Sequence, residues 1–457
     1  MSTTIAPDRR ERSSADLYRA VWRWHFYAGL FVLPFLISLS LTGGLYLFRD
    51  EIDGLVHADL KRVEVQANVE QASPSSMVWS ALGAYPGTAV RYVDPPAPDR
   101  AAEVVVDAFD EGRLVVAVNP YDGAVLGAIP DRGTVMGIVR DLHSLRYFGP
   151  VARGLIEIAA GWAILLVATG LFLWWPRGRQ GGQNGGVLTV RGTPKSRVFW
   201  RDLHAVSGLV LGGVIVFLAL TGMPWSQVWG GQVNALANGS NHGYPSGVRV
   251  DVPMSGQRLA ADQPTSWSME QAQLPVSGAG TAPIGLDEAV AIVERLGLHP
   301  GYAIRLPQDA AGVFSASVYP DDVGQQRVVH LDQYTGEPLV DMDYGDYGLG
   351  GRALEWGISV HLGQEYGRAN QLFLAAACLG IVALSISAGV MWWKRRPSRA
   401  LGVPPMPRDP RVFRGLLALL ALGGVIFPLV GASLFVMLAL DMGVRRLGQG
   451  WRMRPAV

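Results

Sequence analysis

Apolar residues gather along the chain in five blocks, roughly 25–47, 151–175, 204–225, 369–393 and 415–440, with polar residues dominating between them. A helix crosses a bilayer with about 20 such residues, and the pattern predicts membrane helices over 17–48, 140–176, 198–226, 352–396 and 413–441. Polar tails occupy 1–16 and 442–457, and short loops occupy 177–197 and 397–412. The two longer segments, 49–139 and 227–351, change period. A helix from about Ser75, alternating runs at 103–109 and 113–118 and a turn at Asn119-Pro120-Tyr121-Asp122-Gly123 read as a small α+β unit. The fold class expected is an α-helical polytopic membrane protein with five membrane helices and two exterior α+β domains. Pro34 marks a kink expected in the first helix.

The blocks recur. RWHFYAGLFVLPFLISLSLTG from Arg23 and RDLHAVSGLVLGGVIVFLALTG from Arg201 each carry a histidine, a glycine four residues on and Thr-Gly at the far end. Thr42 follows His25 by 17 residues, as Thr221 follows His204. His143 and His361 open a second matched pair of segments, with Gly149 and Gly367 both 6 residues on and Trp174-Trp175 and Trp392-Trp393 both 31 and 32 on. In the exterior segments LGAYPGTAVR from Leu82 matches LGLHPGYAIR from Leu296, and Tyr121 and Gly123 answer Tyr334 and Gly336. The chain reads as a tandem duplication with one added helix. The insert 237–283, rich in Gly, Ser, Pro and Gln, has no counterpart and is expected to be an extended loop. Repeats with an even number of crossings keep one orientation, so a pseudo-two-fold axis along the membrane normal is expected. Such an axis sets His25 opposite His204 at one depth and His143 opposite His361 at another.

Charge decides orientation and excludes several functions. Charged residues make up 17% of the chain, against about 25% in an average globular domain, and a net charge of +1 gives no sign of a nucleic-acid partner. The single cysteine, Cys378, excludes internal disulfides, a CxxCH haem attachment and a cysteine-held iron–sulfur cluster. Arginine and lysine cluster before the first helix, between the second and third and after the fourth, which places those segments in the cytoplasm and the α+β segments outside. The first helix reads as an uncleaved anchor. Arg445, Arg446, Arg452 and Arg454 conflict with that scheme if 413–441 crosses once, as expected; Pro428 leaves a re-entrant hairpin as the alternative.

Two imidazoles on opposite sides of a flat iron macrocycle complete octahedral ligation, and paired histidines at two depths point to haem on His25 with His204 and on His143 with His361. Gly29 and Gly208, one turn beyond their histidines, leave room for a ring. Arg23, Arg201, Arg140 and Arg146 lie within three residues of these histidines and are candidate partners for propionates. His57, His299, His330 and His242 have no matched histidine and read as solvated residues, although His242 is placed to touch a substrate. Glu157, inside the second helix, suits either proton handling or cofactor contact on one side or a water-exposed structural role on the other. The tryptophan pairs fit interfacial anchoring. There is no P-loop, strand-flanked GxGxxG or HExxH, and GGQNGG at 181–186 reads as a linker.

RWHFYAGLFVLPFLISLSLTG, RDLHAVSGLVLGGVIVFLALTG, DLHSLRYFG and SVHLGQEYG, taken with the two exterior domains, resemble the PepSY-associated transmembrane family, and within it the bacterial inner-membrane proteins that reduce ferric siderophores. The resemblance covers essentially the whole chain; the fifth helix and the insert depart from the simplest pattern. It implies PepSY-like exterior domains in the periplasm, two b-type haems on His25, His204, His143 and His361, and a multi-pass protein of the inner membrane. It further implies electron flow from an unknown cytoplasmic or quinol donor to ferric siderophore, with release of Fe²⁺. Two other readings stay open: a non-enzymatic PepSY membrane module that regulates or assists transport, and a haem reductase with another periplasmic acceptor.

Overall fold

The computed structural model describes residues 9–175, 187–240, 252–259, 265–269, 272–397 and 401–452. Along the chain, α1 (Arg9–Tyr46) leads through α2 (Arg49–Val56) and α3 (Ala58–Lys61) to α4 (Pro74–Ala84) and four strands, β1 (Gly87–Val93), β2 (Ala102–Ala108), β3 (Gly112–Val118) and β4 (Val125–Pro130). Then come α5 (Val135–His143), α6 (Gly149–Trp174), α7 (Arg197–Gly222), α8 (Trp229–Ser240), β5 (Met254–Arg258) and β6 (Gln273–Pro275). Next are α9 (Leu286–Arg295), β7 (Ala303–Arg305), β8 (Val313–Val318), β9 (Arg327–Asp332), β10 (Pro338–Asp343), α10 (Leu349–His361), α11 (Arg368–Arg395), α12 (Pro410–Ile426) and α13 (Pro428–Arg452). The chain divides into two compact units, Met1–Gly44 with Leu142–Gln232 and Ala375–Val457, and Leu45–Asp141 with Val233–Leu374.

In the first unit four helices are long and apolar enough to cross a membrane, over Ala15–Tyr46, Arg146–Trp174, Arg197–Trp225 and Arg368–Arg395. Close contacts arrange them as a ring. Gly29 of α1 faces Leu166 of α6, Gly212 of α7 faces Val167 of α6, Gly208 of α7 faces Leu384 of α11, and Gly389 of α11 faces Leu33 of α1. The α1 helix runs unbroken through Pro34. Its buried Ala20, Trp24, Ala28 and Val32 recur every four residues and so line one face. They share a core with Leu416 and Leu420 of α12 and Val430 and Leu434 of α13.

The fifth membrane helix expected over 413–441 is instead two helices. Pro428 has no amide proton with which to continue the α12 ladder, and the chain turns back between Ile426 and Pro428, where Gly424 and Gly431 let the two backbones meet. Val430 and Phe427 pack against Gly161 in the middle of α6. At the other end the buried Arg23 guanidinium donates to the carbonyl of Pro404, ahead of α12, and to the carboxylate of Asp441, late in α13. Both ends of the pair therefore return to the amino-terminal side of α1, and the conflict over Arg445, Arg446 and Arg452 disappears. The segment predicted as a single helix over 352–396 is also interrupted: α10 stops at His361, and Gly363 and Gly367, both at positive φ, turn the chain before α11.

The second unit is built on an eight-stranded sheet in the order β10-β9-β8-β7-β1-β2-β3-β4. Its two four-stranded antiparallel halves join where β1 pairs with β7, and there the matched residues Arg91 and Arg305 are register partners. Both α4 and α9 cover one face, with Met77, Ala81, Ala289 and Val293 packed on Val104, Val106, Ile304, Ala316 and Leu331. The matched turns are alike. Gly123 and Gly336 both take positive φ, and Tyr121 and Tyr334 each donate a hydroxyl to a backbone carbonyl, of Pro98 and Ala310 respectively, at 2.9 Å.

The insert is more than an extended loop. Its β5 and β6 pair antiparallel, and Leu259, Met269, Ala272 and Leu274 form a core with Val313, Val328, Val340 and Met342 on the face of the sheet away from the helices. His242 and the 181–186 stretch lie outside the described residues.

One carboxylate at the junction of the half-sheets gives a pH dependence. Asp94 follows β1, its amide donates to Tyr302 O (2.9 Å), and burial with Glu294 nearby pushes its carboxyl up to about 6 from 3.8. The folded form holds the proton more tightly than the unfolded chain, so this contribution to stability is fullest below pH 3.8 and is lost as pH rises to about 6. In thermal unfolding of the full chain, Asp94→Asn is expected to match the wild type near pH 4 and to melt higher at pH 7.5. Equal melting at both pH values would rule out a raised Asp94.

Candidate functional site

His25 sits on α1 and His204 on α7, and their ring centres lie 6.5 Å apart with the planes at 80°. A Cβ on Gly170 of α6 would reach His25 Cε1 at 3.4 Å, so the imidazole rests on the bare backbone of α6.

The hydrogen bonds define which nitrogen of each ring carries the proton. Thr169 Oγ1 donates to Leu165 O at 2.7 Å, and a hydroxyl has one proton, so His25 Nδ1–H donates to that oxygen at 2.9 Å. On His204, Nδ1 lies 3.3 Å from the carbonyl of Leu384 and 3.4 Å from Ser387 Oγ, whose own proton goes to Leu384 O at 2.6 Å. Nδ1 is again the donor. In both rings Nε2 is left with the lone pair. His143, which closes α5, repeats the device: Thr42 Oγ1 donates to Ser38 O at 2.7 Å and accepts from His143 Nδ1–H at 2.9 Å. A Cβ on Gly43 would meet His143 Cε1 at 3.1 Å. Desolvation around His143, which lies outside the spanning segments, pushes its pKa down to about 4, so the ring is neutral at physiological pH.

These rings suit a metal that brings other ligands with it. Among the described residues no three His, Cys, Asp or Glu side chains gather into a metal cage. Two histidine–metal bonds of about 2.0–2.1 Å, with each ring centre roughly 1.1 Å behind its nitrogen, set two coaxial imidazoles at about 6.3 Å, close to the 6.5 Å between His25 and His204. A metal held by these two rings would have to bring its remaining ligands with it. His361 ends α10 in the second unit, and the Arg49 guanidinium donates to the next carbonyl, Leu362 O, at 3.1 Å.

The other residues singled out in the sequence are placed as follows. Gly29 and Gly208 face Leu166 and Leu384 at 3.9 and 3.8 Å from a hypothetical Cβ, ordinary contact that does not itself demand glycine. Arg23 is occupied by Asp441, Pro404 O and Tyr27, and Arg201 by Asp202, so neither is a spare cation for a propionate. Arg140 and Arg146 are exposed. Glu157 is buried and accepts the amides of Val228 and Trp229, both at 3.0 Å, capping the start of α8; the site is not water-exposed. His330 is not solvated either: it is 2% exposed and bonded to Ser315 Oγ at 2.9 Å. His299 is exposed and its Nδ1 meets Pro300 O, while His57 Nε2 accepts the amide of Val135.

Thr169, Ser387, Gly43 and Gly170 escaped the sequence reading, which used Thr42 only as a landmark. A signal was present: counted from His143 and His361, Thr169 and Ser387 both lie 26 residues on. The tryptophan pairs also behave alike, with Trp174 Nε1 donating to Val187 O and Trp392 Nε1 to Leu401 O.

Four membrane-length helices around paired histidines, with a separate α/β sheet unit, define a multi-pass membrane protein. The chain belongs to the PepSY-associated TM region family, whose signature matches residues 22–395. No curated protein matched the chain.

Proposed function

We propose that the protein is a di-haem b oxidoreductase of the bacterial inner membrane that passes electrons outward and reduces ferric siderophore in the periplasm, releasing Fe²⁺. The observation that carries the reading is the His25–His204 pair, with ring centres at 6.5 Å and both Nδ1 atoms bonded away from each Nε2. Bound haem iron would supply reversible one-electron transfer.

The protein's own part is to hold and shield. His25 and His204 would hold the haem iron at the inner depth, and apolar residues of the helix ring, Trp24, Ala28, Leu211 and Leu384 among them, would keep water from it. His143 and His361 belong to different units, and their assignment to a second haem rests on the sequence match. For the substrate, ferric iron is held by hard oxygen ligands; one added electron lowers its charge and weakens that preference. No general acid, base or nucleophile is asked of the chain. The electron donor is a cytoplasmic reductant or quinol.

The purified full chain is expected to show a Soret band, a reduced α-band and about two haems per chain. Dithionite-reduced protein mixed anaerobically with a ferric siderophore should reoxidise and release Fe²⁺ to a ferrous chelator. A colourless protein would sink the reading in favour of a PepSY module without redox function; a coloured protein that stays reduced would move the acceptor elsewhere.

A further inference from the structure

Three hydroxyl side chains stand behind three of the four histidines, each spending its proton on its own helix backbone. Thr169 gives its proton to Leu165 O, Ser387 to Leu384 O and Thr42 to Ser38 O, at 2.7, 2.6 and 2.7 Å. The oxygen then faces an imidazole Nδ1, at 2.9 Å for His25, 3.4 Å for His204 and 2.9 Å for His143. A free threonine rotates its hydroxyl and can serve either tautomer; one committed to a carbonyl is an acceptor only. The geometry points to a built device, because the same polarity recurs on two helix pairs, α1 with α6 and α7 with α11.

We propose that Thr169 and Ser387 are positioning residues that lock His25 and His204 in the Nδ1–H tautomer and set how strongly each Nε2 donates to iron. This rests on the reading of those histidines as haem ligands. Outer partners of a metal-bound histidine fix its ring and raise its basicity. A neutral hydroxyl does so less than a carboxylate, so each ligand stays an imidazole without drifting toward imidazolate. The two partners are unequal. His25 Nδ1 has one acceptor, Thr169, whereas His204 Nδ1 shares Ser387 Oγ with the carbonyl of Leu384. Loss of Thr169 should therefore be felt more than loss of Ser387.

The test is a redox titration of the purified full chain, following the α-band component that the His204→Ala protein lacks. Thr169→Val keeps the shape and removes the acceptor. The weakened donor holds ferric iron less well, and a tenfold loss of ferric over ferrous preference raises the potential by 59 mV. Ser387→Ala should move the same component the same way by less, and Thr169→Ser should leave it in place. If Thr169→Val sheds this haem altogether while Thr169→Ser retains it, the hydroxyl is again shown to matter. A Thr169→Val potential equal to wild type, or loss of haem from Thr169→Ser as well, would overturn the inference while leaving a coloured wild type and the proposed function intact. A colourless wild type would remove both.

Discussion

With two haems per chain, as proposed, the His204→Ala protein is expected to purify with one. The ring centres of His25 and His204 lie 6.5 Å apart, and a methyl group in place of one would leave the haem proposed there without one of the two imidazoles that would hold it. The neighbouring groups on α11, the Leu384 carbonyl and Ser387 hydroxyl, are 3.3 and 3.4 Å from His204 Nδ1, on the side of the ring away from Nε2. Haem quantified against protein should fall by half, and the surviving spectrum should be that of a single component. His25→Ala should give the same stoichiometry. His299→Ala, which changes an exposed ring that meets its own Pro300 carbonyl, should keep both haems. An unaltered haem content in both His25→Ala and His204→Ala would show that these rings are not the ligands.

Asp441→Ala is expected to have the largest effect on stability. Arg23 and Asp441 are 6% and 1% exposed in their side chains and pair directly, with Tyr27 donating to the same carboxylate oxygen at 2.5 Å. Removing one partner of a buried pair leaves the other charge uncompensated and costs about 3–5 kcal/mol. Here that charge is a guanidinium within α1, and the lost contact is one of those that hold α13 against it. Thermal unfolding in detergent should show a lower, broader transition. The double variant Arg23→Met with Asp441→Leu should recover most of the loss, since well-packed apolar residues replace a buried pair at little cost. If the double variant were as unstable as Asp441→Ala, the damage would lie in packing and not in the stranded charge.

The histidine pair was legible because it depends on local spacing. His25 and Gly29, or His204 and Gly208, lie one helical turn apart whatever the tertiary fold, and the equal 17-residue intervals to Thr42 and Thr221 set the two segments in register. The partner of Arg23 was hidden for the opposite reason. Proximity in sequence to His25 says nothing about Asp441, 418 residues away, which takes Arg23 out of circulation. His330 was read as solvated since a lone histidine in a strand gives no sign of which face the insert covers. Thr169 was passed over because a threonine in an apolar helix is ordinarily bonded to its own backbone, as this one is; only the packing of α1 on α6 shows that its oxygen also faces an imidazole.

Local chemistry along the chain determined the four membrane-length helices, the strand and turn signals of the exterior segments and the matched histidines, since hydropathy, periodicity and turn residues act over a few neighbours. The tertiary structure alone decided that Pro428 makes a hairpin and not a kinked crossing, that the two half-sheets join through β1 and β7, and that hydroxyls stand behind the imidazoles. Those outcomes turn on contacts between residues tens to hundreds of positions apart. Such contacts form only when helices approach closely enough for glycine backbones and buried polar groups to meet, and nothing in a residue's own neighbourhood names its distant partner.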